Sequence, residues 1–162
     1  MASLPDSSCF ADAPLIARDV ARGVGRLLFR GDSYALCEVP LPNGRRADMM
    51  AVDPGGKLTI VEIKVSRADL LGDGKWTDYL DYCDYFFWAV PVGFDLTPFD
   101  GDCHGPDCAG LIVADRYDAE VIRPAPCIPL AAARRKVETL RFARRAARRL
   151  AGSLDPGLGG LD

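Results

Sequence analysis

Two turn-forming triplets, Pro42-Asn43-Gly44 and Pro54-Gly55-Gly56, cut residues 34–65 into three strand-length segments, 34–40, 45–52 and 57–65. An antiparallel meander is the simplest arrangement of three such segments joined by such short turns. If the second turn is a three-residue loop, Asp53 faces Lys57 and the numbers of facing residues sum to 110. Asp48 then lies opposite Glu62, with Cβ atoms about 5 Å apart. Lys64 follows Glu62 by two residues and joins the same face. An odd-length loop centred on Asn43 places Glu38 opposite Asp48, so that acids line up across three strands.

Like charges facing each other destabilise a sheet, and the neighbours on that face, Met50, Leu58 and Ile60, offer little screening. Two arrangements relieve the repulsion. In one, Glu62 or Asp48 pairs with Lys64 or Arg46 as an internal salt bridge. In the other, a Mg²⁺ or Mn²⁺ ion takes the carboxylate oxygens and keeps positions open for a phosphate. Lys64 would then neutralise a phosphate oxygen or position the attacking water, which is phosphodiester hydrolysis without a side-chain nucleophile.

Elsewhere the periodicity predicts a first helix over 14–29 on Leu15, Ile16, Val20, Val24, Leu27 and Leu28. Ser66 and Asp69 resemble a capping box before Gly72-Asp73-Gly74. A second helix is expected over 75–83 with Trp76, Tyr79, Leu80 and Cys83 on one face, and Trp76 is expected to pack in the core. Residues 85–90 and 110–114 read as buried strands, 91–109 as a long surface loop, and 119–123 as a last strand. A final helix over 130–150 is expected to turn Val137, Leu140, Ala143, Ala147 and Leu150 inward.

These elements describe one α/β domain over residues 11–151, a mixed β-sheet flanked by helices, with a flexible 1–10 and a disordered tail over 152–162. The chain totals −3, yet residues 134–149 hold eight basic side chains against Glu138, so this segment is +7 and the remainder −10. Such asymmetry suits an anionic partner; a solvated helix face is the other reading. Read as a phosphate clamp, the helix would use Arg141, Arg145 and Arg148. The N-terminus has no basic start followed by an apolar run, and no apolar stretch reaches membrane-spanning length, which places the expected location in the cytoplasm. No GxxxxGK[ST] run points to a nucleotide cofactor. The six cysteines are too scattered for a disulfide framework, and Cys103, His104 and Cys108 lack the paired spacing of a zinc knuckle.

Asp48, followed after thirteen residues by Glu62-Ile63-Lys64, resembles the D…ExK core of the PD-(D/E)xK nuclease superfamily, with Ala47 where a proline commonly precedes the Asp. Glu38-Val39-Pro40, residues 44–48, 60–64, Lys75-Trp76, Asp78-Tyr79 and Tyr82-Cys83-Asp84 extend the likeness to the bacterial MmcB-type DNA repair proteins. The resemblance implies a restriction-endonuclease-like fold. Asp48, Glu62 and Lys64 are the implied catalytic residues, with Asp48, Glu62, Glu38 and Ile63 at the metal. Arg45, Arg46 and Lys75 are expected near DNA, and Lys75, Asp78 or Tyr79 are the implied polar support from the second helix. Two functions fit: a metal-dependent endonuclease acting on damaged or branched DNA, and a non-catalytic DNA-binding or scaffold subunit of a repair complex that retains the fold.

Overall fold

The meander forms as expected and becomes one side of a larger sheet. The computed structural model describes residues 15–158. Strands β1 (Tyr34–Pro40), β2 (Arg46–Val52) and β3 (Leu58–Ile63) are antiparallel neighbours. Strands β4 (Tyr85–Pro91) and β5 (Gly110–Ala114) continue parallel to β3, and β6 (Ala119–Arg123) closes the sheet antiparallel, in the order β1-β2-β3-β4-β5-β6. The parallel centre is buried on both faces, which is why 85–90 and 110–114 read as continuous apolar runs.

Helix α1 (Ala17–Arg30) covers one face, packing Val20 and Val24 on Met49, Val61, Ala89 and Ile112. It begins later than expected, with Ile16 as the N-cap and its N–H donating to Asp19 Oδ2 at 3.2 Å. Gly23 lies so close to the Asp115 and Asp118 carbonyls that a Cβ would sit 2.1 Å from the first, which accounts for a glycine inside this helix. The short α2 (Arg67–Gly72) starts at Ser66, whose hydroxyl accepts the Asp69 N–H as the sequence suggested.

The other face is covered by three segments that depart from expectation. Residues Trp76–Tyr82 form a 3₁₀ helix rather than an α-helix. Trp76, Tyr79 and Tyr82 recur every third residue, so the tighter pitch stacks all three rings inward. The stretch 91–109 is no simple surface loop: turns at Thr97–Asp100 and Asp102–His104 bury Phe99 and His104 against Trp88. The indoles fix this stretch, Trp88 donating to the His104 carbonyl and Trp76 to the Cys103 carbonyl, each at 3.0 Å. Trp76 is a core residue, and the His104 ring is committed to the Pro98 carbonyl at 2.9 Å.

Helix α3 (Ala132–Leu154) presents the opposite stripe to the one expected. Val137, Leu140 and Leu150 are 45%, 60% and 61% exposed, and Ala143 and Ala147 are exposed with them. Phe142 and Glu138 face inward instead. Polar anchors decide the rotation: Arg135 pairs with buried Asp84, and Arg149 donates to the Cys37 and Glu38 carbonyls at 2.5 and 2.9 Å. The helix also runs past 150, with Asp155 N–H bonded to the Ala151 carbonyl before a turn at Pro156–Leu158, so the expected disorder from 152 does not hold there. The 1–10 segment and the last four residues lie outside the described residues.

Candidate active site

The register places Met50 opposite Ile60 and Met49 opposite Val61, as the sum of 110 requires. Ladder pairing stops there, and side chains take over at the next position. Glu62 Oε1 accepts the Asp48 N–H at 3.1 Å, while Asp48 Oδ2 accepts the Ile63 N–H at 2.7 Å. Each acid is therefore pinned by the opposite strand's backbone, and both line one cleft of about 580 Å³ with Arg45, Ile63, Lys64 and Tyr79.

The salt-bridge alternative is not what forms. Lys64 Nζ pairs with Asp73 at 2.8 Å, and Arg46 Nε pairs with Glu38 at 2.5 Å. Among the described residues neither Asp48 nor Glu62 has a cation within salt-bridge distance. Glu62 is only 3% exposed, and burial together with the Asp48 charge pushes its carboxyl up to about 8. Burial also raises Asp48, against the Ile63 N–H and the Lys64 charge. For Lys64, burial favours the neutral amine, but the Asp73 hydrogen bond and charge outweigh it and hold the group as ammonium.

Glu38 faces Asp48 across the β1–β2 register, but its carboxylate stands at the exposed rim, paired with Arg46. Its backbone sits at φ +54°, a strained conformation for this residue type, under the grip of Arg149 on its carbonyl. Among the described residues no three His, Cys, Asp or Glu side chains gather as a metal-binding group. Two hard carboxylate oxygen donors that lack a cation still suit Mg²⁺ or Mn²⁺, which commonly bind through one or two carboxylates plus water and substrate phosphate.

The expected support residues divide. Tyr79 reaches the cleft, donating to the Arg46 carbonyl at 3.2 Å, and burial followed by the Glu62 charge raises its hydroxyl. Asp78 orients Arg45 through Nε and Nη2 at 3.1 and 3.0 Å, and Lys75 lines an adjoining depression with Asn43 and Arg45. Sequence reasoning missed Asp73 and Asp69 of the cleft wall. Its only signal was Gly72-Asp73-Gly74, which marked a turn and carried no information on which strand the turn would meet.

A family model described as DNA repair protein MmcB-like matches residues 9–157. A solved structure, the SPO1766 protein of unknown function from Silicibacter pomeroyi, is 42% identical with a TM-score of 0.77, covering 91% of this chain and 96% of that one. No curated protein matches.

Proposed function

The chain belongs to the MmcB-like DNA repair protein family, and we propose that its part in repair is divalent-metal-dependent hydrolysis of DNA phosphodiester bonds. The observation that carries this reading is a pair of acids, half-buried Asp48 and buried Glu62, held together by backbone N–H groups and, among the described residues, left without a cation by their neighbours. Holding a buried carboxylate against a half-buried one without compensation is costly, and a site built to receive Mg²⁺ or Mn²⁺ removes that cost.

Asp48 and Glu62 would hold the ion, with the Ile63 main chain beside them and Glu38 at the rim. When bound, a divalent cation supplies Lewis acidity toward the phosphate and eases deprotonation of water. Lys64, kept as ammonium by Asp73, acts on the phosphate charge or orients the attacking water, and is not a general base. Arg45, set by Asp78, and Arg46 hold the strand beside the scissile bond. Arg141, Arg145 and Arg148 extend phosphate contact along α3. Among the described residues no helix is long and apolar enough to cross a membrane.

Cleavage of single-stranded, duplex, flapped and abasic DNA with Mg²⁺ or Mn²⁺ tests the proposal. Wild type should cut, and Asp48→Ala and Lys64→Ala should each lose at least about 100-fold in rate, the scale of removing one electrostatic stabiliser. No cutting by folded wild type, or equal cutting by all three, would favour the non-catalytic subunit, a reading that draws on the missing third acid among the described residues. For the helix, replacing Arg141, Arg145 and Arg148 by Ala should weaken DNA binding and flatten the dependence of log K on log salt by about 2–3. Affinity unchanged at every salt concentration would make the helix a solvated face only.

A further inference from the structure

A second concavity adjoins the cleft. It lies between α3 and the end of β1, with a volume of about 750 Å³, within the range of small-ligand sites. Its floor is apolar, made by Leu41, Met50 and Phe142, and its rim carries Arg141, Arg144 and Arg145. Arg141 is bound to buried Glu138 at 2.6 Å, whereas Arg144 and Arg145 form no ion pair among the described residues. Apolar depth under unspent guanidinium groups selects a ligand with a flat apolar body and anionic flanks.

The groove lies close to the acid cleft along β2. Met50 lines the groove and Asp48 the cleft, two residues apart on β2, or about 7 Å of strand. Pro40 in the groove is the register partner of Arg46 on the cleft wall. A polynucleotide presenting a phosphodiester to Asp48 and Glu62 therefore brings a neighbouring nucleotide over the groove.

On the reading that this protein acts on DNA, we infer that the groove takes one unstacked nucleobase of an unpaired strand, with flanking phosphates on Arg144 and Arg145. Phe142 and Met50 cover the base face. A base in duplex is stacked and paired and does not reach such a pocket without being extruded. The substrate class this selects is single-stranded, flapped or bubbled DNA.

Ala147 lines the groove yet is exposed, so a larger side chain there fills the groove without disturbing the core. Full-length wild type and Ala147→Trp are compared for binding a fluorescent oligothymidylate and a duplex of equal length, in EDTA, with thermal melts to verify folding. Wild type should prefer the single strand, and Ala147→Trp should lose about 10-fold on it, the scale of one base-stacking contact, while duplex affinity stays within about two-fold. Equal single-strand binding by the two proteins overturns the inference, as does a wild type that binds neither DNA. Displacement of bound DNA by an acidic amphipathic peptide in wild type and not in Ala147→Trp, without single-strand preference, or a change of molar mass in the variant, would assign the groove to a protein partner or a second copy and also overturn it. Because no metal is present, failure of the nuclease reading shows up only in cleavage and leaves this result standing.

Discussion

Glu62→Gln should make the metal-free protein more stable at pH 8.5 than wild type, and abolish cleavage. The Gln side chain keeps an oxygen for the Asp48 N–H and removes the buried charge beside Asp48. In wild type the Glu62 carboxyl stands at about 8 in the folded chain against an ordinary 4.5. A raised carboxylate means that the folded state binds the proton more tightly, so stability is full below 4.5 and is lost as pH climbs toward 8. At about 1.36 kcal/mol per pH unit the loss approaches ~4 kcal/mol, or roughly 10 °C in melting temperature for a chain of this size. Thermal melts in EDTA should therefore diverge between pH 4.5 and 8.5 and coincide at the acidic end. Parallel curves would mean that Glu62 ionises freely. Adding Mn²⁺ at pH 8.5 should raise the wild-type melting temperature and leave Glu62→Gln unmoved, because only a ligand bound to the native state stabilises it.

The second large effect is structural. Asp84 is buried and accepts the Leu58 N–H through Oδ2 and the Leu130 N–H through Oδ1, both at 2.9 Å, while pairing with Arg135. One carboxylate thereby joins the start of β3 to the chain entering α3. Burial alone would raise its carboxyl, but Arg135 and the two N–H groups outweigh burial and hold it below the usual carboxylate range. Asp84→Ala strands two backbone donors and a guanidinium, and should cost about 3–4 kcal/mol, the scale of breaking a buried pair. A depressed carboxyl contributes stability above its ordinary value of 3.8 that disappears as pH falls through the folded value. Urea unfolding at pH 7 should show the full difference between wild type and variant, and at pH 3 a smaller one. A loss below about 1 kcal/mol at pH 7 would show that α3 docks without this anchor. Asp84→Asn, which keeps one acceptor, should lie between the two.

The local elements were legible because their causes are local. Turn triplets delimit β1, β2 and β3, and once one loop length is assumed, the period of two carries the register from Asp53 and Lys57 to Asp48 and Glu62. Ser66 is read as a cap from its own position and Asp69. Orientation among remote pieces was not legible. The stripe of α3 was misassigned because both sides of an alanine-rich helix carry apolar residues, and the choice rests on Asp84, Cys37 and Glu38, which lie far away in sequence. The 3₁₀ pitch at Trp76–Tyr82 reflects the aromatic core it must stack on, including Phe86 and Trp88.

The candidate site divides along the same line. Asp48, Glu62 and Lys64 were assembled from the sequence because two neighbouring strands and one tight turn determine their spacing. Which cation each acid receives was decided only in three dimensions. Asp73 arrives on the segment that crosses from β3 to β4 and takes Lys64, and Arg46 turns outward to Glu38. Antiparallel pairing across a short turn follows from neighbouring residues, whereas a parallel crossover brings distant side chains together, and charge compensation depends on that meeting. By itself the sequence determined that two acids would share a face; the tertiary structure decided that, among the described residues, no cation pairs with them.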